Sequence, residues 1–294
     1  MKKKYTLILF PSAYDTLSTV DSEYEVEFNS IKNGIDLSVG LFNYDDFISG
    51  SELKLNIPIK DGDIECIYRG WMMNPKQYKR FYNDLSDKFN IKLVNTPEEY
   101  DNCHLFPSSY LQIKDYTPKS VWLVGYEIGT PIDFELISSF AHEFMIKDYV
   151  KSVKGHKFNN RFKNPILYYD LVNALETFVK LRGDLYTGGI VLKEFVDLKK
   201  YGDYTNEYRV FYFNHEIISC SPNSNQTVIN QVPSEFVDKF KYTFDSNFYT
   251  VDFAELKSGK WIILEYGDGQ VSGLSPNQNS FEFYNKLKNN LTIN

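Results

Sequence analysis

The chain has 294 residues, 43% hydrophobic and 24% charged, proportions that exclude a disordered or fibrous protein and leave room for two modest domains or one large one. Its formal charge of −7, from 32 basic and 39 acidic residues, argues against nonspecific attraction to a nucleic-acid backbone. Cys66, Cys103 and Cys220 are odd in number and lack CxxC spacing, so neither a disulfide framework nor a zinc site is expected and a cytoplasmic location fits.

In chain order, residues 5–10 form an apolar run too short for a signal sequence, which reads as a first strand. No stretch approaches the roughly 20 apolar residues of a membrane span, so no membrane partner is expected. Asp63–Tyr68 is a further strand and precedes Arg69-Gly70-Trp71-Met72-Met73. Asn74-Pro75 then supplies an N-cap and a proline for the first helical position, with Tyr78, Phe81, Tyr82, Leu85 and Phe89 at helical spacing. Residues 91–94 suit a strand, and Thr96-Pro97-Glu98-Glu99 is a capping box at the start of another helix. Residues 1–117 thus read as a small amino-terminal α/β domain, with Tyr116-Thr117-Pro118 as the hinge into residues 118–294.

The second half opens with a strand at 121–124 and a short helix at 132–140. Residues 144–151 read as a strand whose alternation places Met145, Lys147, Tyr149 and Lys151 on one face. Asn164-Pro165 starts the clearest helix, with Leu167, Leu171, Leu175 and Phe178 along one stripe and Gly183 at its end. Gly188-Gly189 leads into strands at 190–197, 207–213 and 216–219, with Ile190, Leu192 and Glu194 sharing one face and Glu207, Arg209, Phe211 and Phe213 another. A helix at 233–240 precedes a hairpin, and residues 280–291 form a last helix with Phe281, Tyr284, Leu287 and Leu291 on one side.

The hairpin carries the most informative residues. Strands at 249–256 and 260–266 flank Lys257-Ser258-Gly259; Trp261-Ile262-Ile263-Leu264 is apolar on both faces, yet the next residue is Glu265, and Asp252 lies inside the first strand. A carboxylate placed in such an interior needs a compensating cation. Lysine or arginine would serve, leaving a structural ion pair, and so would a hard, oxygen-seeking ion such as Mg²⁺.

Familiar signatures are absent: no GxxxxGK[ST] loop, no GxGxxG after a strand and no GxSxG elbow. His142-Glu143 lacks the second histidine of a zinc-protease helix and reads as structural. His104, His156 and His215 are scattered, and only His156, following the lysines of KDYVKSVKGH, is placed to reach a shared ligand. What remains is a distributed set, Lys147, Lys151, Glu194, Arg209, Asp252 and Glu265, each on or just beyond a strand. Cations for phosphates, carboxylates for Mg²⁺ and a strand end for a base edge are what a nucleoside triphosphate needs.

The order of the stretches FMIKDYVKS, GGIVLKEFVDL, EYRVFYF, VDFAEL and ILEYGDGQVSGL resembles the ATP-grasp fold, and most closely its divergent clade named for one arginine and two lysines. The eukaryotic cell-division-cycle factor that assembles translation initiation factor 2 belongs to that clade. RGWMMNP and HLFPSSY resemble pieces of the amino-terminal domain of bacterial and phage members. The resemblance implies an α/β (α+β) architecture, with a two-subdomain ATP-grasp domain, about 118–189 and 190–294, and an ATP cleft between antiparallel sheets. It implies Lys147 and Lys151 as the two lysines, with Lys147 and Arg209 on the phosphates. Glu194-Phe195-Val196 would be the hinge that meets adenine and ribose, and Asp252 and Glu265 the Mg²⁺ ligands. Where common members carry an asparagine two residues after the last glutamate, this chain has Gly267, so Asp268 is the expected substitute or else shapes the Gly267-Asp268-Gly269 turn. The activity implied is Mg-ATP-dependent joining of a carboxylate to an amine through an acyl phosphate, on a peptide or protein. An ATP-binding assembly factor for a protein partner is the alternative.

Overall fold

The structure is a computed structural model that describes residues 4–58, 62–153, 158–227 and 230–291. Its amino-terminal sheet is built from β1 (Lys4–Pro11), β2 (Ser38–Phe42), β3 (Leu55–Asn56), β4 (Asp63–Tyr68) and β5 (Ile91–Leu93) in the order β3-β2-β1-β4-β5. β1, β2, β4 and β5 run parallel and β3 is an antiparallel edge. Leu7, Ile8, Leu9 and Phe10 are all fully buried, as a central parallel strand covered on both faces requires. Around this sheet lie α1 (Glu25–Lys32), α2 (Tyr44–Ile48), α3 (Pro75–Phe89), α4 (Pro97–His104) and α5 (Phe106–Ile113). The capping box expected at Thr96 forms, its side chain accepting from the amide of Glu99, and the N-cap expected at Asn74 forms as a capping box too, the Asn74 side chain accepting from the amide of Gln77.

The chain then builds β6 (Ser120–Val124), α6 (Glu135–Ser138), β7 (Glu143–Asp148), β8 (Arg161–Lys163), α7 (Tyr168–Arg182) and β9 (Gly189–Glu194). These strands pair antiparallel in the order β6-β9-β7-β8. Three expectations fail here. The strand expected at 190–197 already ends at Glu194. The strand anticipated to Lys151 ends at Asp148, because the Asp148 carboxylate accepts from the amides of Val150 (2.7 Å) and Lys151 (2.6 Å) and folds the chain into a turn. Lys147 and Lys151 therefore do not share a strand face. The helix anticipated from Asn164-Pro165 starts three residues later, at Tyr168; Leu167 is 72% exposed, while Leu171, Leu175 and Phe178 are buried as expected. Gly183 ends this helix at φ 50, a conformation that favours glycine.

A short ribbon of β10 (Lys200–Tyr201) and β11 (Tyr204–Thr205) precedes β12 (Glu207–Phe213), β13 (Glu216–Pro222), α8 (Ser234–Asp238), β14 (Phe248–Glu255), β15 (Trp261–Asp268) and α9 (Ser280–Leu291). β13-β12-β14-β15 form an antiparallel sheet in which every residue of β14 is buried. α9 returns to the amino-terminal sheet, and Phe283, Tyr284 and Leu287 join one core with Ile8, Phe10, Phe211 and Phe248. The sheet containing β7 and β9 has a separate core around Phe144, Ile146, Leu171 and Phe178. Between this sheet and β15 of the other lies a cleft, spanned by Lys147 to Glu265 and by Lys193 to the Leu264 carbonyl.

Candidate functional site

The site begins with one register. On β14 and β15 Asp252 stands opposite Glu265, and beyond this pair Phe253 stands opposite Ile263, which leaves Leu264 as the extra residue of a bulge. The Leu264 carbonyl accepts from Lys193 Nζ of β9 at 2.6 Å, so the bulge supplies a bond across the cleft. Arg209 lies opposite Asp252 on β12 and grips it with Nε (2.8 Å) and Nη2 (2.7 Å), while its Nη1 donates to Gly273 O (2.9 Å). Burial opposes the Arg209 charge, but the adjoining Asp252 carboxylate raises its pKa further. Glu265 accepts from Lys147 Nζ at 3.2 Å. Both interior acids thus have the compensating cations anticipated, each from a neighbouring strand or from across the cleft.

Around Glu265 the balance is set by three lysines. Its own burial pushes the carboxyl up, but Lys147, then Lys151 and Lys193, outweigh this and hold it down at about 2. Lys193 pays in the opposite sense: burial first, then the nearby Lys147 charge, lower its pKa to about 7, with Glu265 offsetting only part. Lys147 and Lys193 also sit over the Phe106 ring at 5.3 and 4.7 Å from its centroid.

Two cavities flank this cluster. One, of about 750 Å³, is lined by Met145, Lys193, Leu264 and the segment 194–196, between the two sheets. The amides of Glu194 and Phe195 donate to the carbonyls of Lys119 (2.8 Å) and Glu143 (2.8 Å), so among the described residues Val196 is the member of this trio whose amide has no acceptor. The Arg161 guanidinium, paired with Glu143, lies 3.8 Å from the centroid of the Phe195 ring and fixes that side chain. The other, about 70 Å³, is bordered by Lys147, Lys151, Arg209, Asp252, Glu265 and His104. Lys151 reaches it from the turn after β7, whose Asp148 is also clasped by Arg182 Nε at 2.7 Å.

Asp268, fully buried, lines the same pocket. Asn95 Nδ2 donates to one oxygen (2.5 Å), and the Gln270 amide (2.9 Å) and Nε2 (3.3 Å) to the other. Burial raises its pKa to about 7 against these bonds. His156 and the neighbouring residues 154–157 lie outside the described residues.

Two residues of the site were missed by sequence reasoning. Lys193 gave the same signal as Asp252, a charge inside an apolar strand, but the reading weighed the Ile190, Leu192, Glu194 face and passed over it. His104 looked like a loop residue; it is buried, stacked on Tyr100 at 4.6 Å, and burial followed by the Lys151 charge lowers its pKa to about 3. Only its place beside Lys151 reveals it.

Among the described residues no three His, Cys, Asp or Glu side chains gather as a metal cage. The fit for Mg²⁺ is instead a facing carboxylate pair, Asp252 and Glu265, with remaining oxygens to come from ligand and water, as this ion commonly accepts. Four cations with two carboxylates, beside an apolar cavity, can hold a polyanion and a divalent ion together.

Lys193 also sets a pH dependence. Its proton is held more weakly in the folded chain than in the unfolded one, so from about 7 up to the ordinary value of 10.5 its contribution to stability rises with pH. Lys193→Met removes that slope. Urea unfolding of both proteins is expected to show the variant more stable at pH about 7, with an advantage that shrinks toward pH about 9; an advantage independent of pH would contradict the assignment.

A family model described as ATP-grasp domain, R2K clade family 3, matches residues 133–287. No curated protein sequence matches closely enough to count as a relative. Among solved structures, the D-alanine–D-alanine ligase of Bacillus anthracis complexed with ATP superposes with a TM-score of 0.59 at 13% identity, covering 97% of this chain and 96% of that one. D-cycloserine synthetase DcsG gives 0.58 at 10% identity over 98% and 100% of the two chains. The ATP-grasp ligase PsnB, with a precursor variant, Mg and ADP, gives 0.56 at 10% over 99% and 100%. At these identities the likeness establishes the fold.

Proposed function

Because the chain belongs to the R2K clade of the ATP-grasp superfamily, by a match over more than half its length, we propose that it is a Mg-ATP-dependent carboxylate–amine ligase acting on a peptide or protein. The observation that carries this reading is the pairing within the cleft. Lys147 with Glu265 and Arg209 with Asp252 border a pocket of only about 70 Å³. Lys147 and Arg209 would turn to the phosphate oxygens of a bound triphosphate, and Glu265 and Asp252 would be left to hold its metal.

In this assignment adenine lies in the larger cavity between Met145 and Leu264, with the Val196 amide available to its edge and Glu194 near the ribose. Lys147, Lys151 and Arg209 hold the phosphates; Lys193, charged on only part of the molecules near neutrality when the site is empty, gains its proton fully beside a polyphosphate. Asp252 and Glu265 would hold Mg²⁺, which when bound supplies charge neutralisation for the moving phosphoryl group. Assigning Asp268 as a third ligand requires its bonds to Asn95 and Gln270 to rearrange.

The acceptor carboxylate attacks the γ-phosphorus, ADP leaves, and the amine then displaces phosphate from the acyl carbon to leave an amide. No protein nucleophile takes part, and the lysines and arginine contribute positioning and charge stabilisation. PsnB has been solved with its precursor peptide, which supports a peptide as the acceptor class. We place the protein in the cytoplasm, in keeping with three free cysteines and with no described helix being long and apolar enough to cross a membrane. The test is ADP release with peptide acceptors. Release that requires both a carboxylate and an amine is expected, whereas binding of ATP without release under any acceptor pair would favour the assembly-factor alternative.

A further inference from the structure

Glu255, the last residue of β14, is only 1% exposed, yet it lies outside the cation-lined pocket, so its buried charge has another reason. Three side-chain donors surround it. Lys199 Nζ reaches Oε1 at 2.9 Å, while the Tyr201 hydroxyl (3.1 Å) and Asn206 Nδ2 (2.8 Å) both reach Oε2. The backbone continues the attachment: the Glu255 carbonyl accepts from the Lys199 amide (2.7 Å), and the Glu255 amide donates to the Asn206 carbonyl (3.0 Å). All three donors belong to residues 199–206, which carry the ribbon of β10 and β11. That ribbon has only two residues in each strand, too few to hold a place of its own in water. Glu255 therefore sets where it lies. On its other side, Lys199, Lys200 and Thr205 line the larger cavity, in sequence with the segment 194–198 that leads into them. Leu198 bridges to Leu256, and the Lys257 amide donates to the Asp197 carbonyl (3.2 Å), so this wall is fastened to the β14–β15 hairpin at successive residues.

We infer that Glu255 is a positioning residue for the nucleotide: it holds the ribbon so that the wall facing the adenosine end of Mg-ATP is formed before the ligand arrives. This rests on the reading of the larger cavity as the adenine site. Glu255 does not itself line that cavity and acts only through the ribbon. A wall already in place spares binding the entropy of ordering it. A carboxylate suits the position because it offers acceptors alone to three donors. Glutamine keeps one acceptor and turns an NH₂ either toward Lys199 or toward Tyr201 and Asn206. Asn206 cannot compensate by turning its amide over, because Nδ2 also donates to the Asn230 carbonyl at 2.9 Å and the amide oxygen would then face that carbonyl.

The experiment measures Mg-ADP affinity by calorimetry, and amide hydrogen exchange with and without Mg-ADP, in the wild type, Glu255→Gln and Tyr201→Phe. In the wild type the amides of residues 199–206 are expected to be protected without nucleotide. Glu255→Gln is expected to lose that protection when empty, to regain it at saturating Mg-ADP, and to bind Mg-ADP at least about tenfold more weakly, with protection in α7 unchanged. Tyr201→Phe removes a single bond and shows the same pattern with a loss of at least about twofold, which decides the matter should Glu255→Gln fail to fold. Unchanged Mg-ADP affinity, weakened affinity with the ribbon still protected, or a loss of protection that extends to α7 overturns the inference while leaving the nucleotide site in place. Failure of Mg-ADP to bind the wild type overturns both.

Discussion

Arg69→Met is expected to lower the unfolding free energy by about 3–5 kcal/mol, the cost of removing one partner from a buried ion pair. Arg69 has no exposed surface. Its Nε and Nη2 donate to Glu27 at 3.0 and 3.1 Å, and its Nη1 donates to the carbonyls of Gly269 (2.5 Å) and Ser272 (2.7 Å). The Tyr284 hydroxyl donates to the same Glu27 carboxylate. One guanidinium thus joins α1, the end of β4, the turn after β15 and α9. The variant strands a buried carboxylate and two carbonyls, and replacing Glu27 by Met as well recovers part of the loss, because an apolar pair of similar volume has no uncompensated charge. Urea unfolding of the two variants checks this; a loss below about 1 kcal/mol in Arg69→Met would show that the network contributes little. The effect extends to the site, since the turn that Arg69 holds leads into Gly273, whose carbonyl accepts from Arg209.

Glu265→Gln is expected to cost ATP-dependent turnover about 10²–10³-fold, with a loss of stability smaller than that of Arg69→Met. The Glu265 side chain is 44% exposed to the cleft, and glutamine keeps an oxygen that can accept from Lys147. What disappears is the negative charge opposite Asp252. The pH behaviour follows from the depressed carboxyl. The ion pair's contribution is complete above the unfolded value of 4.5 and is lost as the pH falls through about 2. Activity therefore has no acid limb from Glu265 between pH about 5 and 8. A wild-type rate that falls in that window, with the fall abolished in Glu265→Gln, would contradict the assignment.

Much of this site could be read from the order of its pieces. The hairpin acids stood out because Trp261-Ile262-Ile263-Leu264 left no polar face for Glu265, and the structure places Asp252 and Glu265 opposite each other. Arg209 was legible through alternation on a strand whose bounds, Glu207–Phe213, are those of β12. Helix starts were legible wherever a side chain closes the first turn, as Asn74 and Thr96 do.

What could not be read depended on contacts distant in sequence or on turns made by one side chain. Alternation carried the Lys147 strand on to Lys151, but nothing in the local pattern announced that the Asp148 carboxylate would capture two following amides. The Lys193 bond to Leu264 depends on a bulge in a strand 71 residues away. Arg69 in RGWMMNP was noticed only as part of a resemblance; its partners, Glu27, Gly269 and Ser272, come from opposite ends of the chain. Asp268, one of the most buried acids, was read from a motif position, whereas its bonds to Asn95 and Gln270 tie the end of β15 to the amino-terminal domain.

The central claim, that the two ion pairs mark the place of Mg-ATP, is tested most directly by following thermal unfolding with ATP, with and without Mg²⁺, for the wild type and Glu265→Ala. A ligand that binds only the folded chain raises its midpoint. A rise in the wild type that depends on Mg²⁺ and is lost in a folded Glu265→Ala variant is the predicted result. No rise in the well-folded wild type at millimolar ATP would contradict the nucleotide assignment, leaving Lys147–Glu265 and Arg209–Asp252 as structural ion pairs.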